Sequence, residues 1–452
     1  MNKSLPLVLL IAGCSFIPPY ERPAAPVPQA WPVQGAVSPA PSFNGDWRAL
    51  FTDPTLQRLI DLALEHNRDL MIAVARVDEA RAQAGLSRAD LFPTVDVGVQ
   101  EQAARVPGDL NASGRPVINR RFDANLGVAA FELDFWGRVA SLETAARANF
   151  FASEFAQRAF RLSLIADVAN AYYSLVELDQ RARLAEATVR SRAESRELVA
   201  KRRDVGLASD LDFLAADGAY RTAQAELANL ERQRAAAENA LRLLLGTEAA
   251  VPPAPTFGAL PEIPVGLPSE VLLNRPDVLA AEQKLIAANA NIGAARAAFF
   301  PKIALTVAAG SASAALSGLF AGGSGAWSFV PVLKWPLFDG GRSAANEELA
   351  EVRKVIAVAD YEKTIQQAFR EVADLLAARE HYARQLEALV QAEAAQAERL
   401  RRVEARQRAG VSSYLELLDA QRELFAAQQA VISVRRALAA TAAGLFKATG
   451  GA

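Results

Sequence analysis

A chain of 452 residues with 51% hydrophobic and 22% charged side chains can bury a large core, and its 49 basic against 51 acidic groups leave a formal charge of −2. That balance lacks the excess of one sign that draws a protein to nucleic acid, so no nucleic-acid partner is expected. The sole cysteine, Cys14, excludes an intrachain disulfide, and His66 and His381 stand far apart without metal-ligand spacing; with no phosphate loop and no paired nucleophile and base, no metal, no cofactor and no enzyme activity are expected.

Residues 1–13 read as a short secretory signal, with Lys3 as the positive end, Leu5 to Ile11 as the apolar stretch and Ala12-Gly13 as the small residues before cleavage. Cys14 follows at once, and Leu10-Ile11-Ala12-Gly13-Cys14 looks like a lipobox, whose cysteine is acylated and becomes the mature N-terminus. Several acyl chains, at roughly 0.8 kcal/mol per buried methylene, would hold that end at a membrane surface. Residues 14–44 continue as a tether: eight prolines between Pro18 and Pro41 favour extended chain over a packed element.

From residue 45 to 249 the chain reads as one unit. A helical segment ends at Phe92-Pro93, because proline disfavours helix for the residue before it and removes a donor. A β-hairpin over about 93–136 follows, with Val95, Val97 and Val99 alternating against polar neighbours and Phe122, Ala124, Leu126 and Val128 returning; residues 104–119, rich in turn formers, read as the loop. After Gly137 the texture changes to Ala, Glu, Arg, Gln and Leu, which predicts a long helical hairpin over about 137–246. Its first arm, 138–204, would be about 100 Å long at 1.5 Å per residue. Leu164, Val168, Tyr172 and Leu175 mark its packing seam, and Val205-Gly206-Leu207 its reversal into an arm ending near Leu245.

A proline-rich linker, 250–268, leads to a second copy over 269–452. Gly85 to Pro93 matches Gly293 to Pro301 as G-x-x-R-A-x-x-F-P, Leu133 to Arg138 matches Leu337 to Arg342, and Gly206 to Leu211 matches Gly410 to Leu415, all in the same order. Such agreement indicates a tandem duplication. The second hairpin, about 301–338, carries Ile303, Leu305 and Val307, a turn-rich loop over 309–325, then Trp327, Phe329, Leu333 and Trp335. The second helical hairpin, about 339–449, has a seam at Tyr382, Leu386 and Leu389, a turn at Ala409-Gly410-Val411 and an end near Lys447.

The fold class expected is therefore mainly α with a small β part. No apolar run after the first dozen residues approaches the 18 to 20 or so that a spanning helix needs, so a membrane crossing would have to use strands. Four strands cannot close a barrel, since open edges in lipid leave backbone groups unpaired and outer-membrane barrels start at about eight strands. Several copies would pool them, and the helical hairpins would pool into a tube.

Together these residues resemble the TolC-like outer-membrane efflux proteins, in particular the acylated branch of OprM and CusC type. The resemblance is carried by Ile11 to Cys14 with Pro19-Tyr20-Glu21-Arg22-Pro23 after it, by Pro268 to Val278 with its Leu-x-x-Arg-Pro-Asp core, by Gly293 to Pro301 and by Gly410 to Gln421. It implies a lipid-anchored homotrimer in the bacterial outer membrane, with a shared twelve-stranded β-barrel and a trimeric helical barrel of tandem-duplicated hairpins in the periplasm. It also implies a periplasmic adaptor and an inner-membrane RND transporter as partners, the transporter supplying the energy. By position, Val205, Gly206, Leu207, Gly410 and Val411 look like the adaptor-docking tips, although a tight turn between helices calls for glycine on its own account. Leu415 and Asp419, one helical turn apart, resemble the apolar and acidic rings of the periplasmic gate, with Arg406 across the turn as the expected partner of Asp419; the bland alternative for Asp419 is a solvated helix residue.

The function implied is a passive duct for small toxic compounds. Two other functions stay open at this point: the duct of a type I protein secretion system, and a periplasmic structural coiled coil. Two methionines in the whole chain speak weakly against a dedicated copper or silver role.

Overall fold

The computed structural model describes residues 15–28, 30–31, 46–248, 257 and 269–451. Cys14, the signal, most of the linker and part of the tether lie outside them. The chain falls into two compact units, each assembled from segments of both halves of the chain.

The first unit takes residues 76–154 and 280–362 with the N-terminal arm up to Ala24. It holds strands β1 (Val95–Val106), β2 (Val117–Glu132), β3 (Lys302–Ser313) and β4 (Gly325–Lys334) in one antiparallel sheet of order β1-β2-β3-β4. The register aligns Val97 with Leu126, Leu126 with Ala309, and Ala309 with Trp327, so the alternating apolar positions of all four strands share one face. Gln100, Asp123, Asn125 and Gly98 share the other, where Arg121 donates to Asp123 at 2.9 Å and Asn125 lies over Gly98. The strands run further than the expected loops allowed: β1 continues to Val106 and β3 to Ser313, and the connections shrink to residues 107–116 and 314–324. Small residues there suggested loop, but Gly310 has no side chain for a different reason. A Cβ on it would lie 2.1 Å from the carbonyl oxygen of Ala124 on β2, so the neighbouring backbone requires glycine at that point.

Chain entry and exit at the sheet are tied by aromatic side chains. Trp136 stacks on Phe300, which stacks on Phe16, each at 4.8 Å between ring centres. Trp136 Nε1 donates to the carbonyl of Pro301 and Trp335 Nε1 to that of Phe299, so both indole donors are satisfied by backbone at the Phe-Phe-Pro reversal. The N-terminal arm is held along α6 (Pro276–Ala297): Tyr20 and Arg22 both donate to Glu282, and Asn289 donates to the carbonyl of Pro18 at 2.7 Å.

The second unit takes residues 25–75, 155–279 and 363–452. Its core gathers α1 (Trp47–Leu50), α2 (Pro54–His66), the start of α3 (Arg68–Ala89), the inner part of α4 (Arg138–Asp204), α5 (Asp210–Leu245) and the end of α8 (Tyr414–Ala448). Leu164, Val168, Tyr172 and Leu175 are buried there as their spacing predicts, whereas Tyr382, Leu386 and Leu389 on α7 (Arg342–Arg408) are only half-buried within one chain. Asp53 caps α2 through the amide of Thr55 and also accepts from the Tyr172 hydroxyl at 2.5 Å. Arg275 and Pro276 of the Leu-x-x-Arg-Pro-Asp stretch serve the fold. Proline opens α6, while the buried guanidinium holds Asp277 with two nitrogens and donates to the carbonyl of Ala448.

Candidate functional site: the helix-hairpin tips

Two reversals close the long helices of the second unit. At the first, the amide of Leu207 donates to the carbonyl of Arg202 and that of Gly206 to Arg203; at the second, Val411 donates to Arg406 and Gly410 to Gln407. These paired bonds satisfy the last carbonyls of α4 and α7 and require a left-handed residue, which Gly206 (φ 76°) and Gly410 (φ 75°) provide. Each following helix is capped at once. Ser209 and Asp212 form a reciprocal capping box, and Ser413 accepts from the amide of Glu416. Sharp closure leaves Val205, Leu207 and Val411 facing out, large apolar side chains that a tip in water alone has no reason to display.

Beyond the second tip, Leu415 is 72% exposed and Asp419 lies one turn further along α8. The expected pairing of Asp419 with Arg406 is not what the structure holds. Asp419 accepts from Arg399 at 2.6 Å and from Arg422 at 2.7 Å, while Arg406 reaches Glu416 at 3.5 Å. The reason is the geometry of an antiparallel hairpin: both arms rise equally per residue, so a residue near the turn on one arm meets one equally near it on the other. Arg406 and Glu416 are level with each other; Asp419, further from the turn, meets the side chain reaching down from Arg399. The guanidinium of Arg399 holds the Asp419 carboxyl below the ordinary carboxylate value. Sequence reasoning missed Arg399 and Arg422; Arg422 was findable as a helical i,i+3 partner, Arg399 only from the closed hairpin.

Two lengths of α4 and α5 face this stretch of α8 across a groove of about 910 Å³, lined by Arg192, Ala219, Ala223, Leu415, Asp419 and others. Among the described residues, no group of His, Cys, Asp or Glu is arranged to hold a metal ion, and no helix is long and apolar enough to cross a membrane.

Comparison with known proteins agrees with this architecture. The family model described as outer membrane efflux protein matches residues 59–247 and again 267–451. The toluene efflux pump outer membrane protein TtgC of Pseudomonas putida is 43% identical over 464 residues, covering all of this chain and 96% of that relative. Among solved structures, a membrane protein from Pseudomonas aeruginosa superposes with a TM-score of 0.91 at 42% identity, covering 97% of this chain and all of that one. The open state of the MtrE outer membrane channel of Neisseria gonorrhoeae gives 0.86 at 37% identity, covering 97% and 98%.

Proposed function

The chain belongs to the outer membrane efflux protein family, and on that premise we propose that it works as a lipid-anchored homotrimer docked to a periplasmic adaptor and an inner-membrane RND transporter. The broader role is the family's: an outer-membrane duct of a tripartite efflux pump, reaching into the periplasm, passive and without enzyme chemistry. The observation that carries the trimer is the sheet. β1 and β4 each pair on one side only among the described residues, and Val97, Val99, Trp327, Phe329 and Leu333 are exposed on the shared apolar face. In lipid those apolar side chains are at home, but the two open edges are not, and neighbouring copies remove both. Three copies of four strands make the twelve-stranded barrel.

Acylation of Cys14 is supported by the arm that follows it. Phe16, two residues on, is seated against Phe300 beside the start of β3, so the chain that leaves Cys14 is held at the sheet end of its unit. The two separate family matches support a tandem duplication divided near residues 250–268. At the tips, Val205, Gly206, Leu207, Gly410 and Val411 offer an adaptor apolar side chains on turns of fixed shape. Leu415 and Asp419 form the gate, with Arg399 now taking the role first given to Arg406. Toluene in the name of the relative supports small apolar toxicants as cargo.

The test is direct. Protein extracted in a neutral detergent is expected to have the mass of three chains by light scattering, to label with a palmitate analogue unless Cys14 is changed to Ser, and to conduct in planar bilayers. A single chain in the soluble periplasmic fraction with no pore would sink the reading.

A further inference from the structure

The groove beside α8 contains a cation that no carboxylate among the described residues neutralises. Arg192 is only 7% exposed, yet among the described residues no carboxylate forms an ion pair with it and its Nη1 makes no hydrogen bond. Burial accordingly pushes its pKa down. An unpaired buried charge is costly and calls for a counter-ion.

The acidic side chains of the groove are not candidates, because each is already engaged: Asp419 by Arg399 and Arg422, Glu416 by Arg406 and Ser412, Glu226 by Arg181. The described residues therefore leave the place of a counter-ion open. The rest of the lining is largely apolar, with Ala219, Ala223, Leu418 and Phe425, and 910 Å³ falls within the size of pockets that enclose small organic molecules. A carboxylate from a second copy of this chain is the competing source of charge, and the test below separates the two.

We propose that this groove is a binding site for an amphipathic organic anion, a carboxylate or sulfonate on a small apolar body, with Arg192 as the group that receives the charge. The anion's oxygens accept from Arg192, and its body lies against Ala219, Ala223 and Leu418. The proposal goes beyond the duct assignment and stands on the groove alone, so a failure to form pores would leave it untouched.

Calorimetric titration of the purified full-length protein in a neutral detergent, with 2-naphthalenesulfonate and its uncharged relative 2-naphthol, tests it. Binding of the sulfonate is expected to weaken at least tenfold in Arg192→Gln, roughly the loss of one charge-assisted contact, to persist in part in Arg192→Lys, and to leave 2-naphthol weak throughout. Because Arg192→Gln alters a buried site, Ala223→Phe, which fills the groove and keeps the arginine, must also abolish sulfonate binding. Equal binding of the two probes, sulfonate binding unchanged in Ala223→Phe, or a wild type that binds no sulfonate overturns the proposal; loss of the oligomer in Arg192→Gln alongside that last result is what a carboxylate from a second copy would give.

Discussion

Asp419 is tied across its helical hairpin to Arg399, at 2.6 Å, and along its own helix to Arg422, at 2.7 Å. Two guanidiniums neutralise the carboxylate, so removing it deletes a cross-helix tie and relieves little repulsion. Asp419→Ala and Arg399→Ala are each expected to raise closed-state conductance in planar bilayers, by roughly two- to five-fold given the modest strength of exposed ion pairs. The double variant should add little beyond either single change, and Arg406→Ala should do less. Additive effects of Asp419 and Arg399 would show that the pair does not act as a unit.

The same pair sets a pH dependence. Because the Asp419 carboxyl titrates below its ordinary value of 3.8 in the folded protein, the tie is fully present above 3.8 and is lost as pH falls through the lower folded value. Wild-type conductance is expected to stay flat from neutral pH to about 4 and to rise in stronger acid. Asp419→Asn should abolish this acid-induced component, and a rise that persists in that variant would assign it to another group.

Gly410 has no atom within 4 Å of where a Cβ would be, so any penalty on replacing it comes from its φ of 75° alone. Gly410→Ala is expected to destabilise the tip by about 1 kcal/mol, Gly410→Asn by less, and Gly410→Val by more. Amide exchange over residues 405–415 reads this locally, and an order that follows side-chain volume with Asn worse than Ala would refute the backbone explanation.

Gly310 poses the opposite problem, a close approach with no unusual backbone angle: its Cβ position lies 2.1 Å from the Ala124 carbonyl oxygen. Gly310→Ala should weaken the β2–β3 pairing and lower the yield of assembled protein in outer-membrane fractions. Asn125, adjacent to that contact, is predicted to tolerate Ser far better, as the same yield measurement would show.

Arg275 is buried while both its carboxylate partners reach solvent, so its loss leaves the Ala448 carbonyl and a broken fork but no stranded buried anion. Arg275→Ala is expected to cost about 2 kcal/mol, below the usual 3 to 5 or so for a fully buried pair. Arg275→Lys should recover less than half of it, because a single ammonium cannot make the two parallel bonds to Asp277. Thermal melting followed by the helical signal measures both.

Local chemistry made much of this protein readable from its residues. The absence of proline and the run of helix formers after Gly137 placed a helix at 138–204, where Arg138–Asp204 is found, and glycine after the last basic turn marked both reversals. Two-residue alternation picked out the strands and their apolar face. Their full length was not legible, because the ends of β1 and β3 are polar or small, and only the neighbouring strand shows why Gly310 belongs in a ladder.

Pairings between distant positions needed the fold. Arg399 and Asp419 are twenty residues apart, and which arginine reaches Asp419 depends on how two antiparallel arms align, a long-range packing outcome. Nothing in the spacing along α4 sets Arg192 apart; it is the packing of the hairpins that buries it, with no carboxylate paired to it among the described residues. Periodicity in a sequence states which face of an element seeks cover; the identity of the covering group is decided in three dimensions, because contact depends on distance in space and spacing along the chain constrains only near neighbours.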